Sequence, residues 1–282
     1  MARLSVTLID VGWGDSILVE SVDDGGERHF ALVDCNDYET ERSSLVFVKR
    51  FFDRALIDFE ANRPNFEWVL LTHGHADHAR GIKRMLSTFG TRHFWYPKSV
   101  ASTTFGALLS YANRSDRVQH HQSIDTTKVL DPSINFGPVS LAVLWPDHDQ
   151  VDTSNENNNS VVLAMTLGDV TLVMTGDAEA ENWPTIAPRL PATLRVFQVP
   201  HHGGRNGLFD PADDSPWLDH LSSAAVPPRM ALSSHIRPHG HPHPDVVNAL
   251  TGADFDVFRT DMQSHLTFST DGTTVDVQYS HV

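Results

Sequence analysis

One short segment of the chain concentrates side chains that can bind a metal ion, His73-Gly74-His75-Ala76-Asp77-His78. It directly follows the apolar run of residues 68–71, which predicts a buried strand. Side chains alternate along an extended backbone, so His73 and His75 can face the same way. Asp77 and His78 fall where a following helix would begin. Imidazole together with carboxylate suits zinc, with manganese or iron as alternatives. We therefore predict two neighbouring metal positions here rather than a polar loop with surface histidines.

Two later segments repeat the arrangement of an apolar strand that ends in polar side chains. Residues 172–177 end in Thr-Gly-Asp, where the glycine permits a tight turn just before Asp177. Residues 199–204 present His201 and His202 at the end of another predicted strand. Taken alone, the aspartate would be an ordinary turn acid and the histidines would be surface residues. Together with the first segment, they complete a predicted metal site.

The composition is that of an ordinary globular protein, with 282 residues, 40% hydrophobic and 20% charged. No apolar stretch approaches the length of a membrane span. A formal net charge of −15 argues against whole-surface attraction to nucleic acid or anionic membranes, although bound cations would reverse the field at a site. The single cysteine, Cys35, excludes an internal disulfide, and the N-terminal residues predict a strand rather than a signal peptide. The cytoplasm is therefore the expected location.

Short β-rich runs occupy both halves of the chain, with helical patterns between them. The patterns predict strands at residues 3–9, 16–20, 29–33, 67–71, 93–96, 139–145, 160–166, 170–175, 195–199, 229–233, 257–259, 265–269 and 275–279. They predict helices at residues 43–59, 77–87, 104–112, 178–183 and 245–250. Two β-rich halves with helices outside them indicate an α+β fold, a four-layer αββα sandwich, with residues 1–282 as a single domain.

The order of these segments resembles the metallo-β-lactamase superfamily, and within it the soluble hydrolase domain of ComEC-type DNA-uptake proteins. The superfamily resemblance rests on HxHxDH at residues 73–78, Thr-Gly-Asp at 175–177 and His-His-Gly at 201–203. Three further segments carry the likeness to the ComEC-type domain, the glycine-punctuated loop 10–16, the Asn-Asn-x-Ser run 157–160 and Gly-His-Pro-His-Pro at 240–244. The resemblance implies the metallo-β-lactamase fold over nearly the whole chain.

The resemblance also implies two divalent metal ions, zinc in first place and manganese or iron as alternatives. The implied ligands are His73, His75, Asp77, His78, Asp177 and His201. In this scheme His73 and His75 hold the first ion, and Asp177 bridges to the second. Many relatives supply one more histidine to the first ion, and it has no clear match here. His148 is a stand-in, and without it the first position is expected to be more open and more weakly held.

Three residues are predicted to act beside the ions, Asp77, His202 and His241. Asp77 can orient the nucleophile or collect its proton. His202 is expected behind a ligand or on a phosphoryl oxygen, because the family pattern favours its neighbour His201 as the ligand. His241 resembles a family position near the site, where it could contact substrate or protonate the leaving group. The acids at positions 10, 15 and 34 are expected to orient loops and histidines rather than bind metal.

The implied activity is metal-dependent hydrolysis, in which two cations activate a bridging hydroxide and clamp the attacking and leaving oxygens. The subgroup favours a phosphodiesterase or nuclease that acts on DNA, with nucleic acid or another phosphodiester as substrate, a partner protein and no membrane. A small-molecule ester or lactam hydrolase is one alternative, although those classes usually carry the further histidine. A non-catalytic module that binds nucleotide or a partner is the other, and the complete ligand set disfavours it.

Overall fold

Two mixed β-sheets form the centre of the structure, a computed structural model that describes residues 1–40, 42–98, 103–128 and 136–280. In spatial order, the larger sheet contains β14 (Val275–Ser280), β13 (His265–Thr270), β1 (Arg3–Leu8), β2 (Ser16–Val22), β3 (Arg28–Cys35), β4 (Phe66–Leu70), β5 (Thr91–Tyr96) and β6 (Val118–Ser123). The smaller sheet contains β12 (Val257–Arg259), β11 (Arg229–Leu232), β10 (Leu194–Gln198), β9 (Val170–Met174), β8 (Val162–Leu167) and β7 (Ser140–Trp145).

Helices lie outside both sheets. They are α1 (Ser43–Arg54), α2 (Ala76–Ala79), α3 (Ile82–Phe89), α4 (Thr103–Ala112), α5 (Trp183–Ile186), α6 (Arg205–Leu208), α7 (Pro216–Ser222), α8 (Pro244–Gly252) and α9 (Thr260–Gln263). None of the helices in the described part of the chain has the length and apolar character needed to cross a lipid bilayer.

Three apolar layers separate the four layers of backbone. Side chains such as Trp68, Leu163 and Phe268 fill the space between the two sheets. A second cluster lies between the larger sheet and helices α1, α3 and α4, and a third lies between the smaller sheet and helices α5, α7 and α8. Apolar faces of sheets and helices must be buried against each other, so this layering follows from the alternating pattern. The predicted αββα sandwich is confirmed.

Each sheet is antiparallel on one side and parallel on the other. Strands β3 to β6 run parallel in the larger sheet, and strands β9 to β12 run parallel in the smaller one. Strands in parallel sheets are buried on both faces, which explains the continuous apolar run before residue 72. In such sheets ligands bind outside the carboxyl ends of the strands, and here those ends carry the polar segments singled out above.

Several elements differ from the sequence prediction. The predicted helix 77–87 is divided into α2 and α3, because Gly81 donates its N–H to the Cys35 carbonyl at 2.8 Å and the two backbones approach closely. Helix α1 ends at Arg54 rather than at 59, and Leu56 beyond it has a φ of +56°. The predicted helix 178–183 is a short 3-10 turn, and α5 begins only at Trp183. Strand β6 and helices α6, α7 and α9 were not predicted. The residues of β6 are mostly polar and exposed, so a hydrophobic pattern could not reveal them.

Candidate metal centre

The polar segments that follow four parallel strands meet at one edge of the sandwich. Asp34 lies near the end of β3, and residues 73–78 follow β4. Asp177 follows β9, and the His-His pair follows β10. The two sheets thus contribute one half of the cluster each, and the structure brings the side chains predicted from distant segments into a single cleft.

Four side chains of this cluster surround one point, Asp77, His78, Asp177 and His202. His78 Nε2 lies 3.2 Å from His202 Nε2 and 3.2 Å from Asp177 Oδ1. His202 Nε2 lies 3.4 Å from the same Asp177 oxygen. Asp77 Oδ2 lies 3.9 Å from His78 Nε2 and 3.7 Å from His202 Nε2. Ligand atoms at the usual 2.0–2.1 Å from a tetrahedral zinc ion lie about 3.3 Å apart. The atoms of His78, His202 and Asp177 fit this spacing, and Asp77 Oδ2 lies slightly beyond it.

Hydrogen bonds behind the rings orient the histidines of this group. His78 Nδ1 lies 2.7 Å from Asp34 Oδ2, and the same carboxylate accepts the N–H and hydroxyl of Thr72 at 2.7 and 2.6 Å. His202 Nδ1 donates to the Ser233 carbonyl at 3.0 Å. A histidine whose Nδ1 donates in this way presents its Nε2 lone pair to a metal. Both rings therefore present an acceptor atom to the same point.

A second group faces the other oxygen of Asp177. His73 Nε2 and His201 Nε2 each lie 3.8 Å from Asp177 Oδ2. The His75 ring packs edge-on against His73 with ring centroids 4.8 Å apart, and it lines the same cleft. Asp177 thus presents Oδ1 to one group and Oδ2 to the other, which is the geometry expected of a bridging carboxylate.

Each group contains a buried polar atom that lacks a hydrogen-bond partner in the described part of the chain. His73 Nε2 and Asp177 Oδ1 are buried and have no hydrogen-bond partner among the described residues. A buried polar atom left unpaired costs about 1–3 kcal/mol, so such atoms call for a partner that the polypeptide does not supply. Neutral imidazoles and carboxylates are the donors that divalent zinc, manganese or iron accept. The residues present fit two divalent cations.

The two histidines of the His-His-Gly segment are arranged differently from the predicted scheme. His202, expected outside the ligand set, lies with Asp77 and His78. His201, expected with that pair, instead turns toward Asp177 Oδ2 and the first group. Both residues have left-handed backbone, with φ of +53° and +54°, so consecutive rings diverge to opposite sides of Asp177. His201 is thus a candidate third histidine for the first group, for which the sequence has no clear match between residues 78 and 175.

Asp15 also lies close to this cluster, in a group with His78, Asp177 and His202. Its oxygens, however, approach the Nδ1 atoms of His202 and His78 at 3.7 and 3.8 Å, behind the rings. Asp15 Oδ2 also accepts the Gln198 amide at 2.8 Å. Asp77 lies on the Nε2 side, so we place it and not Asp15 around the ion. The position of Asp15 agrees with its expected role of orienting histidines.

Charges in the cleft shift the ionisation of its residues. Burial opposes the charged form of His78, but Asp177 and Asp34 outweigh it and raise the pKa of His78 well above its usual value. Burial likewise opposes charge on His202, yet Asp177 and Asp15 raise its pKa to about 9. A cation bound between the two Nε2 atoms would displace these protons and take over the charge that balances the carboxylates. The pKa of His73 is instead lowered, by burial and by His78, which leaves its lone pair available.

The turn into Asp177 requires a glycine. Gly176 has a φ of +52°, and a Cβ at this position would lie 2.9 Å from Thr72 and 3.1 Å from Ser160 Oγ. The Ser160 hydroxyl accepts the N–H of Asp177 at 3.1 Å. These contacts join the end of strand β9 to Thr72 and to Ser160, beside the Asp177 carboxylate.

Aromatic rings line the opening of the cleft, a cavity of about 240 Å³. Trp13 lies 4.7 Å from the His202 ring and stacks on His241 at 5.2 Å between centroids. His239 covers the same tryptophan at 4.4 Å. Burial and the neighbouring His201 lower the pKa of His241 to about 4, so its ring is neutral near pH 7. A second cavity of about 450 Å³ shares His241 and extends the opening.

Three residues near the site were missed in the sequence, Trp13, Glu179 and His239. Glu179 Oε1 lies 3.5 Å from His201 Nδ1 and accepts the side-chain amides of Asn157 and Asn206 at 2.7 and 2.6 Å. The sequence signal for Glu179 was its position, two residues after Asp177. The glycines around Trp13 marked its loop, but nothing local showed that its ring turns toward the cleft.

Two other histidines have structural roles. His148, the stand-in for the further histidine, contacts Asp125 and Asp149 with its two ring nitrogens at 3.0 and 3.1 Å, and neither acid belongs to the cluster. His243 Nδ1 accepts the N–H of Asp245 at 3.2 Å and so caps helix α8.

A four-layer sandwich with histidines and aspartates converging at its strand ends is the architecture of a metal-dependent hydrolase. Comparison with known sequences agrees: a family model described as the metallo-beta-lactamase superfamily matches residues 5–216, and the chain belongs to that superfamily.

Two similar proteins extend the comparison. The ComE operon protein 3 of Bacillus subtilis (strain 168) is 25% identical over 273 residues, which cover 93% of this chain and 32% of that protein. The chain thus spans about a third of the length of this relative. The solved structure of Igni18, a metallo hydrolase from the archaeon Ignicoccus hospitalis KIN4/I, matches with a TM-score of 0.52 at 12% identity. That match covers 94% of this chain and 98% of Igni18, and at this identity it shows a shared fold.

Proposed function

We propose that this protein is a metal-dependent phosphodiesterase that cleaves nucleic acid, with DNA as the favoured substrate. The observation that carries the proposal is the pair of ligand groups on the two oxygens of Asp177, in a cleft that opens to solvent. The resemblance to the hydrolase domain of ComEC-type DNA-uptake proteins favours nucleic acid over small substrates. A single hydrolase domain, a cytoplasmic location and a partner protein are further parts of the proposal.

The proposed ligands divide between two cations. His73, His75 and His201 would hold the first. Asp77, His78 and His202 would hold the second, and Asp177 would touch both. Bound divalent cations would supply Lewis acidity, lower the pKa of water and stabilise charge on a phosphoryl oxygen. In this assignment His202 takes the place first expected for His201, and His201 joins His73 and His75 at the first cation.

Two side chains would act on the substrate. Burial opposes charge on Asp77, but the hydrogen bond to His202 and the charge of His78 outweigh it and hold the pKa of Asp77 below its usual value. The ionised carboxylate would orient the nucleophile by accepting a hydrogen bond from it. His241 Nδ1 is buried and has no hydrogen-bond partner among the described residues. Because it lines the cleft, we assign it a contact with an oxygen of the substrate or the leaving group.

Hydrolysis of a small ester or lactam is the second candidate function. It was disfavoured because the first position seemed to lack a third histidine, and the orientation of His201 removes that objection. Substrate tests must therefore decide between the two.

The test combines metal analysis with a substrate panel. Purified protein is assayed on linear and circular DNA, RNA, bis-p-nitrophenyl phosphate and nitrocefin, and its metal content is measured. We expect about two divalent ions per chain, cleavage of phosphodiesters, and at least a roughly hundredfold loss of activity in the Asp77→Ala/His78→Ala variant, since loss of residues that merely support a metal already costs about 10–100-fold.

The matched control is Asp219→Ala/His220→Ala, which removes the same residue pair from the exposed part of helix α7 and should retain activity. Cleavage of nitrocefin alone would support the second candidate. Full metal content without turnover of any substrate would contradict both and leave a binding module.

A further inference from the structure

We propose that a basic rim beside the cleft, formed by Tyr38, Arg80, Lys83 and Arg84, binds the phosphate backbone of a nucleic acid strand whose scissile bond lies in the cleft. This inference rests on the proposed nuclease function and deepens it. It names a polymer with phosphates beyond the scissile bond as the substrate, rather than a small phosphodiester.

The rim is continuous with the metal centre. Arg80 follows Asp77 by three residues, and one helical turn advances about 5.4 Å. Arg80 Nη1 donates to Asn36 Oδ1 at 3.0 Å, and the Asn36 amide donates to the Trp13 carbonyl. Trp13 lines the cleft. Arg80 is therefore linked through Asn36 to the lining of the cleft.

Contacts within the rim hold its cations in place without neutralising them. The Arg80 guanidinium lies 4.1 Å from the centroid of the Tyr38 ring. Arg84 Nη1 donates to the Tyr38 carbonyl at 3.4 Å, and Lys83 Nζ lies 5.6 Å from the centroid of the Tyr111 ring. Cation–π contacts and carbonyl hydrogen bonds leave the positive charge intact and available to an anion.

The rim concentrates three cations within five residues, 80 to 84. Seven other arginines, Arg3, Arg28, Arg92, Arg117, Arg189, Arg205 and Arg259, each contact a carboxylate. Among the residues that the structure describes, Arg80, Lys83 and Arg84 form no ion pair. Single cations elsewhere, such as Arg54 and Arg195, also form no ion pair in the described part of the chain. The Debye length is about 8 Å at physiological salt, so a phosphate at the rim responds to these three cations more than to the net charge of −15.

Binding is tested with a fluorescent single-stranded DNA of about 20 nucleotides, by anisotropy, in the Asp77→Ala/His78→Ala background so that the strand stays intact. The rim variant is Arg80→Gln/Lys83→Gln/Arg84→Gln. The control variant, Arg54→Gln/Lys128→Gln/Arg195→Gln, removes three cations from other surfaces and changes the net charge equally. Thermal melting establishes that each variant is folded.

We expect the rim variant to bind at least about tenfold more weakly, and the control within about twofold of the parent. The slope of log Kd against log salt should fall by about 2, because each contact with a single strand contributes about 0.7. Equal affinities for the rim and control variants would overturn the inference. It would also be overturned if polyglutamate displaced the labelled DNA as effectively as unlabelled DNA does. Rim-dependent binding without any strand cleavage by the wild-type protein would refute the nuclease proposal alone.

Discussion

At the scale of residues, the centre depends on where each imidazole points relative to Asp177. His202 is fixed by the Ser233 carbonyl and His78 by Asp34, so each presents Nε2 to Oδ1. Among the described residues, His201 Nδ1 has no hydrogen-bond partner, and Glu179 Oε1 lies 3.5 Å from it. Three asparagine amides hold that glutamate in place, from Asn155, Asn157 and Asn206. Glu179 is therefore placed to orient His201.

The first prediction concerns this glutamate. Glu179→Ala should weaken binding of the more weakly held of the two ions by about 10–100-fold, because His201 loses the carboxylate that orients it. Metal titration by calorimetry measures both affinities without reference to activity. Glu181→Ala is the matched control, since its carboxylate contacts the Asn158 amide and no histidine. Unchanged affinities in both variants would show that Glu179 does not position His201.

At the scale of elements, the loops after the strands must pack closely to bring the ligands together. The loop between β1 and β2 touches α2, where the Asp15 N–H donates to the Asp77 carbonyl at 3.3 Å. Local patterns predicted most strands and the helix after residue 76, because buried apolar runs and strand alternation are visible in sequence. They did not predict the break at Gly81 or the strand β6, since both depend on neighbours distant in the chain.

Gly14 provides the test at this scale. Its φ is +99°, and a Cβ there would run into the Asp77 carbonyl and the Asn36 side chain. Gly14→Ala should reduce the free energy of unfolding by about 1–3 kcal/mol, through strain and overpacking, and should displace the Asp77 loop. Urea unfolding measures the change. In the control Gly106→Ala, within α4, the new methyl group meets nothing within 4 Å, and stability should stay equal or rise. Equal effects of the two substitutions would contradict the close approach.

At the scale of the whole molecule, the two sheets bring buried carboxylates together at their shared edge. Asp15, Asp34 and Asp177 are each at most 2% exposed and lie around the same histidines. Burial of several like charges destabilises a fold unless a positive charge compensates, so cations in the cleft should contribute to stability of the whole sandwich.

Metal removal tests this contribution. At free zinc about 100 times above Kd, binding should stabilise the folded state by about 2.7 kcal/mol, which corresponds to a Tm increase of about 5–10 °C for a chain of this size. Calorimetric melting of chelator-treated and zinc-reloaded protein measures the shift. The Asp77→Ala/His78→Ala variant should show a smaller one. An identical Tm with and without zinc would refute a metal site in this cleft.

Sequence patterns were sufficient to predict the fold class and the residue types proposed as ligands. Buried strands are visible in the sequence as apolar runs. The HxHxDH, Thr-Gly-Asp and His-His-Gly motifs each follow one of these runs. The three-dimensional arrangement was needed to show that His202 rather than His201 lies with Asp77 and His78. It was also needed to show that Trp13, Glu179 and His239 lie at or near the cleft. The physical reason is that a ligand's role depends on ring direction. Ring direction is set by backbone torsions and by partners such as Ser233 that lie far away in sequence.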